Sequence, residues 1–182
     1  MRIIAGRFRG HPLTSLGKGD PAAHLRPTSD RVREALFSMI EARIALGDIH
    51  VLDLFAGTGA LGLEALSRGA RHATFVDSGR KAQTLLRANI AKLDVAQSTT
   101  LIASPVKSMP NAQEAAQLVF LDPPYGKALG EEALIVTRAR GWIADTALIV
   151  WEETRPQQAE GFTALASRRY GDTTVTLLEP GP

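Results

Sequence analysis

The run Val51-Leu52-Asp53-Leu54-Phe55-Ala56-Gly57-Thr58-Gly59-Ala60-Leu61-Gly62 constrains this chain more than any other. A short apolar, β-prone segment meets small residues, and helix-favouring Leu61-Gly62-Leu63-Glu64-Ala65-Leu66 follows at once. A buried strand that breaks at glycines and restarts as a helix is how an open α/β sheet makes a ligand crevice. Gly57 and Gly59 are free to take positive φ and let a ligand approach the backbone. The new helix N-terminus offers unpaired N–H groups to an electronegative ligand group. Phe55, Ala56 and Thr58 complete the predicted turn around the ligand.

Glycine spacing alone leaves two readings open. Gly57, Gly59 and Gly62 also fit the G-x-G-x-x-G dinucleotide pattern, with Asp77 at about the right distance for a ribose. Asp53 at the strand's C-terminal end argues for the other reading. A diphosphate above that turn is repelled by a carboxylate. A ligand bearing an ammonium group, such as the amino-acid part of S-adenosylmethionine, is attracted.

Two further strands end in acids. His72-Ala73-Thr74-Phe75-Val76 runs into Asp77 and Ser78, and Gln117-Leu118-Val119-Phe120-Leu121 runs into Asp122-Pro123-Pro124-Tyr125. In a parallel sheet these ends share one edge, where ligands bind. Asp77 suits both hydroxyls of a ribose, and its alternative role is to cap the next helix. The two prolines remove backbone donors and stiffen the turn. What remains is an acceptor array, the Asp122 carboxylate and the Pro123 carbonyl, beside the Tyr125 ring. That array fits a planar group with an exocyclic NH₂: the acceptors take its hydrogens and the tyrosine stacks. A nucleobase amine is a poor nucleophile because its lone pair is delocalised into the ring. Acceptors that favour the pyramidal nitrogen of the transition state therefore accelerate its attack.

The remaining elements alternate. The pattern predicts a helix opened by Thr28 or Ser29 with Asp30 in its first turn. Val32, Ala35, Leu36, Met39, Ile40 and Ile44 form its buried face, and Gly47 closes it. Arg33 falls off that stripe and Arg31 lies at its margin. A helix to Ser67 follows the motif strand. Another spans Arg80 to Lys92, with Ala82, Leu85, Leu86, Ala88, Asn89 and Leu93 inward. Strands are expected at 99–104 and 147–152, with a helix between them over Glu131 to Ala139. Arg168 to Leu178 reads as two strands about a Gly-Asp turn. This is an α/β, doubly wound, mainly parallel sheet ending in an antiparallel hairpin. Upstream, Arg2-Ile3-Ile4-Ala5-Gly6 and His11-Pro12-Leu13-Thr14 read as short strands, and Gly17 to Leu25 as a loop.

The chain of 182 residues is 45% hydrophobic and has no cysteine, which excludes disulfides and thiolate sites. Its four histidines show no H-x-x-x-H pairing, so no metal is expected. No run has the length of a membrane span, and Met1 to Arg7 holds no signal-peptide apolar core. The expected setting is cytoplasmic. Net charge is only +2, but residues 1–43 hold eight Lys/Arg against four acids, while the remainder is net negative by two. A basic arm on a near-neutral body suggests a bound polyanion, with Arg2, Arg7, Arg9, Arg26, Arg31 and Arg33 as candidate phosphate contacts. Phe8 either stacks on a base or folds back on the body.

Taken together, these blocks resemble the S-adenosylmethionine-dependent amino-methyltransferases, whose amine-binding motif is [D/N/S]-P-P-[Y/F/W]. The chain resembles more closely the RsmD family, which methylates N2 of a guanine in 16S ribosomal RNA. The likeness rests on residues 2–6, 26–37 and 52–70 and on Asp122-Pro123-Pro124-Tyr125. It implies a Rossmann-like class I methyltransferase sheet of seven strands, the last antiparallel. It also implies an extension over residues 1–47 on the RNA side of a catalytic domain at 48–182. By position, Asp53, Gly57 and Gly59 would hold the methionine part of the cofactor, Asp77 the ribose, and Asp122, Pro123 and Tyr125 the guanine. Ser104 stands where relatives often carry an acid near the adenine amine. A monomer acting on 16S rRNA, alone or in a small-subunit particle, is expected. Adenine N6 methylation, a nicotinamide-dependent oxidoreductase and a non-catalytic RNA-binding module are the competing readings.

Overall fold

The computed structural model describes residues 1–15, 29–124 and 128–181. Arg26, Thr28, Tyr125 and the expected loop at 17–25 lie outside these residues. Seven strands make one sheet: β1 (His50–Leu54), β2 (His72–Val76), β3 (Thr99–Ile102), β4 (Ala116–Leu121), β5 (Ile143–Glu153), β6 (Phe162–Tyr170) and β7 (Thr173–Pro180). Their order is β3-β2-β1-β4-β5-β7-β6. The first five are parallel, β7 pairs antiparallel with β5, and β6 pairs antiparallel with β7. The reversal between β3-β2-β1 and β4-β5 is the switch point that opens a crevice above β1 and β4.

Four helices cover the sheet: α1 (Asp30–Glu41), α2 (Ala60–Ser67), α3 (Arg80–Lys92) and α4 (Leu129–Ala139). Strand alternation sorts the core into two layers. Val51, Phe75, Leu118, Phe120, Leu148 and Val150 meet α1, α2 and α3 on one face. Leu52, Leu54, Val119, Leu121, Ile149 and Trp151 meet α4 and the turn at Val106–Ser108 on the other. Ile3 and Leu13 of the N-terminal segment belong to the first layer, so the described part of that segment shares its core with the sheet.

Several elements differ in extent from the sequence reading. Ser29 caps α1 through its side chain, but the helix stops at Glu41, and the amides of Ala42, Arg43 and Ile44 turn back to Ser38 and Ile40. Its fully buried residues are Arg33, Leu36, Phe37 and Ile40. The face has rotated to seat Phe37 against Phe120, with ring centroids 5.8 Å apart. On α3, Leu86 and Asn89 are buried while Ala88 is exposed. β5 begins four residues earlier than expected, after a register shift against β4. β6 begins at Phe162, because an edge strand with one exposed face carries little alternation. The 2–6 and 11–14 segments are tied by a single bridge, Arg2 to Pro12, rather than forming strands.

Candidate active site

Register explains how three strands bring their acids together. Asp53 lies opposite Phe75 on β2 and Phe120 on β4, and Phe120 lies opposite Val150 on β5. Two residues further along, on the same side by alternation, stand Asp77, Asp122 and Glu152. Asp53 is thus the deep member of a row of carboxylates, about 6.6 Å below the others at ordinary strand rise. It is 3% exposed.

Each acid has a defined local task. The Asp53 Oδ2 accepts the Gly62 amide of α2 at 2.9 Å. Asp77 accepts the Gly57 amide at 2.9 Å with one oxygen and the Gly79 amide at 2.7 Å with the other. It therefore ties the glycine turn to the residues that lead into α3, whose first turn carries no side-chain cap. Asp122 continues beside β1, its amide directed at the Leu54 carbonyl at 3.5 Å.

The row is electrostatically frustrated. Burial pushes the Asp53 carboxyl well above the usual carboxylate range, and the charges on Asp122 and Asp77 push it further, against the Gly62 hydrogen bond. Burial, then Glu152 and Glu153, push Asp122 up likewise. Among the described residues no lysine or arginine forms an ion pair with Asp53 or Asp122. A cationic ligand would relieve this repulsion, and S-adenosylmethionine, with an ammonium and a sulfonium, is such a ligand. A pyrophosphate would increase it.

The glycine turn is left-handed and packs closely against core side chains. Gly57 (φ 56°) and Gly59 (φ 76°) are left-handed, and so is Phe55 (φ 59°), a conformation strained for a side-chain residue. A Cβ on Gly59 would stand 2.3 Å from Leu86, and one on Gly62 2.4 Å from Phe75. Of the remaining cofactor candidates, Ala56 and Thr58 are half-buried in the turn and Ser78 is exposed after β2. Ser104 is half-buried past β3, its hydroxyl directed at the Pro105 carbonyl. Pro123 is buried and Pro124 exposed.

The basic-arm reading needs one correction and one choice. Arg33 is not a surface contact: it is fully buried, and its Nη2 donates to the Arg2 carbonyl (2.6 Å) and to Asp30 (2.8 Å). A period-based reading misses this because it assigns buried helix positions to apolar residues. Phe8 folds back, half-buried against the first core layer, with the Arg7 guanidinium 4.5 Å from its ring centroid. Arg7, Arg9 and Arg31 are exposed, and Arg2 is exposed while paired with Asp30.

What sequence reasoning missed is the seam that docks this arm. Glu64, fully buried on α2, accepts the amides of Ile4 (2.7 Å) and Ala5 (2.9 Å) and the Arg68 Nε (2.9 Å). Ser67 accepts the Phe8 amide and donates to the Ala5 carbonyl, and its own carbonyl takes the Arg7 amide. Arg68 also reaches Glu34 and Glu41 and lies over Phe37 at 4.7 Å. The available signal was an acid and a serine on a helix that is otherwise apolar all round. Among the described residues, no group of three or more His, Cys, Asp or Glu could hold a metal, and no helix is long and apolar enough to cross a membrane.

Comparison with known proteins bears on the family and the fold. The family model described as conserved hypothetical protein 95 matches residues 1–179. Ribosomal RNA small subunit methyltransferase D of Escherichia coli K12 is 39% identical over 84% of this chain and 74% of its own length. The protein of the same name from Haemophilus influenzae is 32% identical over 98% and 93%. The solved chain of Escherichia coli yhhF superposes with a TM-score of 0.83 at 34% identity, covering 100% of this chain and 98% of its own. The expected class I methyltransferase architecture, a seven-stranded α/β sheet with β7 reversed, is the one observed. Methyltransferases of this kind use a methyl donor of the S-adenosylmethionine type. The chain belongs to the RsmD family of RNA methyltransferases.

Proposed function

We propose that this protein transfers a methyl group from S-adenosylmethionine to the exocyclic N2 of a guanine in 16S ribosomal RNA. The observation that carries this reading is the row of carboxylates at the switch point, deep at Asp53 and shallow at Asp77 and Asp122, beside a left-handed glycine turn. The donor, when bound, supplies an electrophilic methyl on a sulfonium. Asp53, with the turn Phe55 to Gly59, would hold its amino-acid part, Asp77 with Ser78 its ribose, and Ser104 with backbone groups its adenine.

At the other end of the row, Asp122 and the Pro123 carbonyl accept the two hydrogens of the base amine, and Tyr125 stacks on the ring. The amine must be gripped so that its lone pair leaves conjugation and points at the methyl. Acceptors fixed by a Pro-Pro turn need no reorganisation as charge develops on nitrogen. Transfer from a sulfonium needs mainly alignment, which a rigid sheet edge provides. Relatives named as ribosomal RNA small subunit methyltransferases support the RNA class. A target base must leave its stack to reach Asp122. Arg7, Arg9, Arg31 and Arg26 would hold the flanking phosphates on the arm side. The setting is the cytoplasm, the active form a monomer without metal, and the substrate free 16S rRNA or an assembling small subunit.

The test is labelled-methyl transfer into 16S rRNA and into small-subunit particles, followed by nucleoside analysis. N2-methylguanosine is expected. N6-methyladenosine as the product would replace the guanine reading by the adenine one. No incorporation by protein that binds the donor overturns both.

A further inference from the structure

Asn89 sits in the interior of α3, fully buried, where neither helix propensity nor apolar packing favours an amide. Its hydrogen bonds explain it. Oδ1 accepts the Thr14 amide at 2.7 Å, and Nδ2 donates to the Thr14 carbonyl at 3.0 Å. Asn89 thus grips one arm residue by both backbone groups, as a strand partner would. The same Nδ2 donates its other hydrogen to the Thr58 carbonyl at 2.9 Å. Thr58 stands between Gly57, held by Asp77, and Gly59, whose amide bonds the Ala56 carbonyl at 2.7 Å. The Thr58–Gly59 peptide unit is therefore fixed on both sides, its carbonyl by Asn89 and its N–H by Ala56.

We propose that Asn89 is a positioning residue that ties the N-terminal arm to the cofactor turn, so that an undocked arm weakens cofactor binding without any arm residue touching the cofactor. This rests on the reading of the glycine turn as the S-adenosylmethionine site. The arm has two further attachments on α2, at Glu64 and Ser67, and Gly6 lies directly on the second. A Cβ at Gly6 would fall 1.8 Å from the Ser67 carbonyl oxygen, at a φ of +78°. Gly6→Ala therefore lifts the arm at the end of α2 remote from the glycine turn. On this proposal its effect reaches the turn through Thr14 and Asn89.

The experiment is calorimetric titration of S-adenosylmethionine and S-adenosylhomocysteine into wild type, Asn89→Ala, Gly6→Ala and the double variant, with melting curves on each. Loss of the amide is expected to weaken both ligands roughly tenfold, the scale of one lost net hydrogen bond. Gly6→Ala should weaken them by a similar factor, and the double variant should be no worse than Asn89→Ala, because both changes break one connection. Folded variants that melt lower but bind with wild-type affinity overturn the proposal. So do losses that add in the double variant. If Asn89→Ala does not fold, Gly6→Ala decides alone: wild-type affinity there overturns the proposal, and weakened affinity supports it. A wild type that binds neither ligand overturns the cofactor reading itself, an outcome distinct from the others.

Discussion

Two buried carboxylates, one on β1 and one on the α2 that follows it, are treated in opposite ways. Glu64 is fully buried and receives two arm amides and the Arg68 guanidinium. Asp53 is almost as buried, receives one amide, and faces two other acids. The first charge is compensated inside the protein and builds the seam between arm and body. The second is left with its repulsion in place, a poor use of a charge for stability and a good one for capturing a cation. On the proposed reading, the contrast separates a structural acid from a ligand-binding one on a single βα unit.

Glu64→Ala tests the structural side and should have the largest effect. Removing one member of a buried, hydrogen-bonded ion pair costs about 3–5 kcal/mol, read as a lower midpoint in chemical unfolding. A loss below about 1 kcal/mol would mean that the arm docks without it.

Next comes Asp122→Ala. If Asp122 grips the base amine as proposed, losing this acceptor should lower turnover by roughly 100-fold or more, with donor affinity nearly unchanged by calorimetry. Asp77→Ala should do the converse, weakening the donor while saturated turnover is largely kept. Identical profiles for the two variants would erase the proposed division along the row.

Asp53→Asn should weaken the donor yet raise the melting temperature of the ligand-free protein at neutral pH, by roughly 2–4 °C per kcal/mol of relieved repulsion. The sign follows from linkage. Asp53 and Asp122 titrate higher folded than unfolded, so between the two values the native state binds more protons. Stability of the ligand-free protein then falls as pH rises from about 4, the unfolded value, upward through the raised folded values. Asp53→Asn should flatten that fall. A variant that melts lower than wild type at neutral pH would place Asp53 with Glu64.

The smallest effects belong to the exposed arm. Arg7→Ala and Arg9→Ala should each weaken RNA binding modestly, and each should reduce the slope of log affinity against log salt by about one. A salt-insensitive wild type would remove the arm from the interface.

The sheet edge was legible because its signals are local. A strand ending in an acid, two glycines and a helix start are contiguous, and the order of such units fixes which strand ends become neighbours. The bounds of α3, Arg80 to Lys92, follow from periodicity and agree with the structure. The seam was not legible because its partners lie 59 to 75 residues apart, Ile4 and Ala5 with Glu64, or Thr14 with Asn89. Nothing in a single sequence says that a helix glutamate will accept distant backbone amides. The burial of Arg33 was not legible either, since a helical period assigns buried positions to apolar residues and one of its two partners, the Arg2 carbonyl, is 31 residues away.

The alignment of β1, β4 and β5 carries a consequence for how such a chain can change. Because successive strand residues point to opposite sides, a single-residue insertion between Phe120 and Asp122 would not merely shift the Asp122 carboxylate; it would turn it through the sheet to the α4 layer. Loops in this architecture tolerate lengthening, but the strand tips before the acids tolerate it only in steps of two.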